Sequence, residues 1–312
     1  MKKTLVLILV LVTILLFAVP AMANETKSDD IVILYTNDVH TYIDGPVSYD
    51  TVAALKAELE QSYEYVLLVD AGDHIQGTAY GSMNQGETII KLMNAAGYDA
   101  ATLGNHEFDY GMEGRIRVTD EWAEFPYLSC NFYHETNGTR GENVLDSYQL
   151  FACGEETVAI VGVTTPETFS KSAPAYFQDK TGKYIYGISG GKDGAALQAD
   201  LQTAIDDAED AGATVVIGLG HLGMDLSSGV WTSAAAIGGV SGLDAFIDGH
   251  SHTIMQSTSV ADKDGKPVLL TQTGEYFGAI GMMVIDPETD TITTDLLTEE
   301  DLADLVPDAA VK

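Results

Sequence analysis

Six of the seven histidines in this 312-residue chain fall in five short polar clusters. The clusters read Thr36-Asn-Asp-Val-His40, Gly72-Asp-His-Ile-Gln-Gly77, Gly104-Asn-His-Glu-Phe-Asp109, Gly220-His-Leu-Gly223 and Asp248-Gly-His-Ser-His252. Asp38 and His40 are two residues apart, as are His250 and His252. In extended chain such a pair points to one side, which is a chelating arrangement. Taken singly, each residue has a plainer use: Asp73 as a turn aspartate or helix N-cap, a lone histidine as a hydrogen bonder. Taken together, Asp38, His40, Asp73, Asn105, His221, His250 and His252 are seven oxygen and imidazole donors with no thiolate among them. Seven is too many for one tetrahedral zinc. The set suits two divalent ions about 3.5–4 Å apart that share a carboxylate. Zn, Mn, Fe or Co would all accept this ligation, so the residue types leave the metal's identity open.

These clusters need strand ends to bring them together. Ile31–Thr36 and Tyr65–Asp70 are continuous apolar runs, the pattern of buried strands. Tyr49–Gln61 and Glu87–Ala96 have helical spacing, the second closed by Gly97. Ala100–Leu103 reads as a third short strand. Later strands are expected at Thr157–Val163, Thr214–Leu219, Ala245–Ile247, Val268–Thr271 and Gly281–Ile285, with a helix over Gly194–Ala211. Strand and helix alternate, so the build is βαβ and the fold class α/β. Each polar cluster closes a strand, at the carboxyl edge where α/β proteins bind ligands. Thr164–Ser189 has no clear period and reads as an ordered loop. Beyond residue 286 the chain turns acidic and polar, and a helical tail is expected there.

Acidic residues outnumber basic ones 47 to 15, for a net charge of −32. Such a chain repels nucleic acid and anionic membranes at long range, so no nucleic-acid partner is expected. A pair of metal ions would reverse the sign locally and attract an anionic substrate. The first 23 residues have Lys2 and Lys3, an almost wholly apolar run from Leu5 to Val19, and Ala21-Met-Ala23. This is a secretory signal peptide followed by a cleavage site, which implies a secreted protein, extracellular or periplasmic, with no membrane anchor after cleavage. An oxidising compartment permits a bond between Cys130 and Cys153, but two small buried hydrophobes are the preferred reading.

The five motifs, in this order, resemble those of the calcineurin-like dinuclear metallophosphatases. Thr36–His40 with Gly104–Asp109 resembles more narrowly the 5′-nucleotidase branch, which includes UDP-sugar hydrolases and 2′,3′-cyclic phosphodiesterases. The resemblance covers roughly residues 30–298. It implies a four-layer α/β/β/α sandwich of two sheets flanked by helices. It assigns Asp38, His40 and His252 to one metal, Asn105, His221 and His250 to the other, and Asp73 as the bridge. It makes His106 and Asp109 a catalytic dyad. The implied reaction is hydrolysis of a small phosphoester, most simply a nucleotide, by a metal-bound hydroxide. His106 would protonate the leaving oxygen or stabilise the transition state.

The sequence departs from the family in three places. Thr41 follows His40 where relatives often have Gly, and Leu219-Gly220 precedes His221 where they often have Ser. Members of this branch also carry a further substrate-binding domain, which supplies arginines for phosphate and an aromatic pair for the base. Here a metallophosphatase domain over 24–298 is followed only by 299–312, read as the opening of a linker helix. Three explanations stand side by side: a lone metallophosphatase domain of broad, weak activity, half of a split enzyme whose partner chain supplies the second domain, or a truncated product. Cyclic-nucleotide or sugar-nucleotide cleavage on the same site, half of a split enzyme and a non-catalytic metal-binding remnant are the competing readings.

Overall fold

The computed structural model describes residues 27–311, so the segment 1–23 read as a signal peptide lies outside the described residues. The strands in chain order are β1 (Ser28–Thr36), β2 (Tyr63–Asp70), β3 (Ala100–Thr102), β4 (Tyr127–Leu128), β5 (Phe132–Thr136), β6 (Thr139–Asn143), β7 (Tyr148–Cys153) and β8 (Glu156–Thr164). They continue as β9 (Tyr186–Ile188), β10 (Val215–His221), β11 (Ala245–Ile247), β12 (Ile254–Ala261), β13 (Pro267–Thr273), β14 (Ile280–Asp286) and β15 (Thr291–Leu297). One six-stranded sheet has the order β15-β14-β1-β2-β3-β4 and a second the order β12-β13-β11-β10-β8-β7.

The two sheets pack face to face. Ile31, Ile33, Tyr35, Leu67 and Val69 of the first meet Val158, Ile160, Ile217, Leu219 and Ile247 of the second in one buried cluster. The outer face of the first sheet is covered by helices Tyr49–Ser62 and Glu87–Ala96, that of the second by Ala195–Asp210 and Ser233–Ile237. This is a mixed α/β fold of two sheets flanked by helices. Strands buried on both faces have no polar side, which explains the unbroken apolar runs of β1, β2, β8 and β10. Helix Glu87–Ala96 stops where the sequence indicates: Gly97 takes φ 78° and the Tyr98 N–H reaches back to the Met93 carbonyl.

Parallel pairing sets the site. β1, β2 and β3 run parallel, as do β8, β10 and β11. All their carboxyl ends therefore open on one edge of the sandwich.

Three expectations are corrected. The acidic stretch after 286 contains β15, paired antiparallel with β14. It is an edge strand with one solvated face, so its composition looks like that of a tail. The expected linker helix is not formed over 299–311, which is a series of turns. Asp301 bonds back to the Thr298 N–H and hydroxyl, Pro307 bars a continuing helix, and the Asp308 N–H donates to the Asp50 carbonyl. Leu302 and Val311 are buried against the first core, so this segment is packed onto the domain. The loop 164–189 holds a short helix Thr168–Lys171, a 3-10 turn Pro174–Phe177 and β9. Cys130 and Cys153 are both free and buried, in different clusters.

Candidate metal centre

Asp38 and His40 follow β1, Asp73 follows β2, Asn105 and His106 follow β3, His221 ends β10, and His250 and His252 follow β11. The edge brings all seven candidate ligands together with His106. Asp38, His40 and His252 offer ligand atoms within 4.8 Å of one another, as do Asp73, His221 and His250. The same holds for His40, Asp73 and His106. His40 Nε2 lies 3.2 Å from His252 Nε2 and 3.8 Å from Asp38 Oδ1. His221 Nε2 lies 3.0 Å from Asp73 Oδ2.

The route to this convergence is not extended chain. Asp38, His40, Asp73, His250 and His252 all have positive φ, between 47° and 78°. With the backbone left-handed at these residues, Asp38 and His40 come together, while His250 turns to the group of Asp73 and His221 and His252 to that of Asp38 and His40. Such conformations cost on the order of 1–3 kcal/mol each for a non-glycine residue and persist only where the surroundings impose them. Several groups do the imposing. Asp38 N–H donates to the Gly72 carbonyl and His40 N–H to that of Asp73, stitching the first loop to the second. Glu107 accepts from the backbone N–H groups of Asp73, His74 and Gly104 at 2.9, 3.0 and 2.7 Å, stitching the second to the third. Asp248 accepts from Leu222 and Gly223 N–H, joining the fourth to the fifth. Gly249 sits where a Cβ would lie 2.8 Å from His221 Nδ1 and 3.0 Å from Asp38 Oδ2, so only glycine admits that approach.

Some polar atoms of the site are held by hydrogen bonds and others are not. Asp38 Oδ2 accepts from Asn37 Nδ2 at 2.7 Å and His250 N–H at 2.9 Å, while Asp38 Oδ1 has no partner. Asp73 Oδ1 accepts from the His106 N–H at 2.7 Å, leaving Oδ2 toward the histidines. Asn105 Oδ1 is likewise buried without a partner, and buried His221 Nε2 makes no well-aligned hydrogen bond although Asp73 Oδ2 stands 3.0 Å away. Buried polar atoms without partners are costly, and a native structure rarely tolerates several in one place. Here all three are lone-pair donors of a type that binds divalent ions, which is the fit expected of a metal site.

Each candidate imidazole has its other nitrogen engaged. His40 Nδ1 bonds the Gln76 carbonyl at 3.0 Å and His221 Nδ1 that of Ala71 at 2.6 Å. His250 Nε2 pairs with Glu167 Oε2 at 2.7 Å, and His252 Nδ1 pairs with Glu275. Metal-binding histidines generally donate their second N–H to a carboxylate or carbonyl, which sets tautomer and ring orientation. Neither Glu167, Glu275 nor Glu107 is singled out by sequence reasoning. Glu107 lies inside a recognised motif. Glu167 and Glu275 lie in loops with no pattern and are identified only by what they touch.

His106 Nδ1 sits 2.6 Å from Asp109 Oδ2 on a 3-10 turn that puts residues three apart side by side. Burial disfavours its charge, but the Asp109 bond and the nearby Asp73 carboxylate push its pKa up to about 9. His221 is pushed up to about 10, again against burial, by Asp73 and Asp38. Asp73 itself, despite full burial, is held well below the usual carboxylate range by His221, His106 and His40. His40, Asp73, Asn105, His106, His250 and His252 line a cavity of about 390 Å³ that opens to solvent.

A sandwich of two mixed sheets with a His/Asp/Asn cluster on its carboxyl edge is the architecture of a metallophosphoesterase. The chain belongs to the calcineurin-like phosphoesterase family, whose sequence model matches residues 31–253. It is 31% identical over 302 residues to a snake venom 5′-nucleotidase of Gloydius brevicauda, covering 85% of this chain and 47% of the relative. It is 29% identical over 256 residues to a 5′-nucleotidase of Homo sapiens, covering 75% of this chain and 40% of that protein. The chain thus spans about half the length of these relatives or less. The fold matches a 5′-nucleotidase precursor from Thermus thermophilus at a TM-score of 0.72 and 23% identity, over 90% of this chain and 57% of that one. It also matches the calcineurin-like phosphoesterase YfkN from Bacillus subtilis at 0.70 and 21%, over 90% and 94%.

Proposed function

We propose that this chain hydrolyses phosphoesters in a metal-dependent reaction, with nucleotides as the substrate class and 5′-nucleotidase-like release of phosphate as the outcome. The observation that carries the reading is the two unpartnered buried oxygens, Asp38 Oδ1 and Asn105 Oδ1, with His221 Nε2 facing Asp73, beside the His106–Asp109 pair. Asp38, His40 and His252 would hold one ion and Asn105, His221 and His250 the other, with Asp73 shared. When bound, two divalent ions would activate a water for attack on phosphorus and offset the charge developing on the phosphoryl oxygens.

The rest falls to the chain's own groups. His106 stands at the cavity wall with Nδ1 tied to Asp109, so its Nε2 can carry a proton to the departing alkoxide. Asp109 sets the ring's orientation and favours its charged form. Glu167 and Glu275 hold His250 and His252 in their rotamers. The leader at 1–23 supports action outside the cytoplasm, and among the described residues no helix is long and apolar enough to cross a membrane.

The test is product release from AMP, a sugar nucleotide, 2′,3′-cyclic AMP and p-nitrophenyl phosphate by purified protein supplied with Mn²⁺ or Zn²⁺, with and without EDTA. EDTA-sensitive phosphate release, greatest for AMP, is expected. No turnover of any ester by protein with two metals bound would refute it.

A further inference from the structure

We propose that the metallophosphatase domain carries its own subsite for an aromatic base, formed by Tyr42 and Tyr276, with Lys171 as the cation for the phosphate end of the same ligand. This deepens the function proposed above, on which it rests for the ligand class. Both tyrosines and Lys171 line the cavity that holds the metal-ligand candidates. The tyrosine rings stack with centroids 4.0 Å apart and an interplanar angle of 30°. Tyr276 in turn meets His40 edge-on at 5.7 Å and His252 at 6.0 Å. An aromatic ladder thus leads from His40 through Tyr276 to the exposed Tyr42.

Tyr276 stacks on one face of Tyr42, yet 45% of Tyr42 is exposed. Large aromatic surface left uncovered at a polar cavity is a stacking platform, and every nucleobase has a π-face to use it. The platform is built into the metal loops. Tyr276 and Phe277 are consecutive non-glycine residues at φ 58° and 56°, and Thr41, next to Tyr42, is at 60°. The Tyr276 N–H donates to the Asp38 carbonyl and the Tyr42 N–H to that of Val39. Left-handed backbone at side chains this bulky is sustained where the site requires the geometry.

Lys171 ends helix Thr168–Lys171 and is the one Lys or Arg lining the cavity. It makes no ion pair among the described residues, whereas Arg115 pairs with Asp120 and Arg140 with Asp200. On a chain of net charge −32, an unpaired cation facing this cavity has an anionic ligand as its natural counterpart.

The deciding comparison is AMP against ribose 5-phosphate, which share the ester and differ in the base. Wild-type protein is expected to favour AMP in kcat/KM by about fivefold or more, the value of one stacked base. Tyr42→Ala should bring the ratio near one, with the loss falling on AMP. Lys171→Gln should weaken both substrates and leave the ratio. Equilibrium dialysis of labelled AMP and ribose 5-phosphate runs alongside, so that binding is read without turnover. Hydrolysis without a preference for AMP, or a preference that survives Tyr42→Ala, overturns the subsite and leaves the proposed function standing. Base-dependent binding that Tyr42→Ala abolishes, without hydrolysis of any ester, supports the subsite and removes the proposed function.

Discussion

Glu107 is predicted to hold the site together without touching a metal. Its side chain is fully buried and its carboxylate accepts three backbone N–H bonds, from Asp73, His74 and Gly104. It also lies 3.7 Å from His74 Nε2, on the far side of an imidazole that bonds Asp70 at 2.7 Å. Glu107→Gln keeps the shape but can accept with only one of its two terminal atoms. Placed to retain Asp73 and Gly104, it turns an NH2 group toward the His74 N–H and strips one charge from the imidazolium's surroundings. One buried donor without a partner costs about 1–3 kcal/mol, and weakening a buried charge pair adds to it. The expected loss is about 2–4 kcal/mol in urea unfolding of the metal-free protein.

A pH signature accompanies that loss. His74 is raised to about 9 from 6.5, with burial opposing and Glu107 and Asp70 outweighing it. A group raised on folding stabilises fully below its unfolded pKa and ceases to as pH climbs through the folded one. Wild-type stability from this group therefore declines between pH 6.5 and 9, and the decline should be shallower in the variant. Because Asp73 and Asn105 sit on the loops that Glu107 ties, metal affinity should fall as well. Unchanged unfolding energy together with unchanged metal affinity would refute the reasoning.

The other predictions separate ligands, dyad and supports. Asp73→Asn should lose bound metal and hydrolysis together, while His106→Ala should slow turnover about 10²–10⁴-fold with both metals retained, as read by elemental analysis. Metal loss in the His106 variant would contradict its assigned place. Glu167→Gln should weaken metal affinity about 10–100-fold in a chelator competition, since the His250 ring loses its carboxylate partner. Both thiols should resist alkylation near neutral pH until the protein is unfolded, because burial pushes the Cys130 thiol up and raises Cys153 to about 11. Rapid labelling of the folded protein would contradict the burial of both side chains.

Local sequence determined a great deal here. Strand and helix types followed from continuous apolar runs and helical spacing, as in β1, β2, β10 and helix Glu87–Ala96. Every candidate ligand lay at a strand end because polar residues interrupt apolar runs only where the chain leaves the core. Strands with a solvated face escaped notice for the opposite reason: the edge strands β6, β12 and β15, and β5 between β6 and β9, carry exposed polar residues and look like loop. What tertiary structure decided was orientation. Spacing placed Asp38 beside His40 and His250 beside His252, but on the assumption of extended backbone. The actual convergence comes from left-handed turns, and these are held by bonds between loops as far apart as Asp38 and His250. Glu167, Glu275, Tyr42 and Tyr276 have no motif at all. Their meaning lies in contacts such as Glu167 with His250 and Tyr42 with Tyr276, whose partners are distant in sequence. Residue type and spacing set which chemistry is available. Which atom of each residue faces the cavity depends on long-range hydrogen bonds, and those exist only once the two sheets have packed.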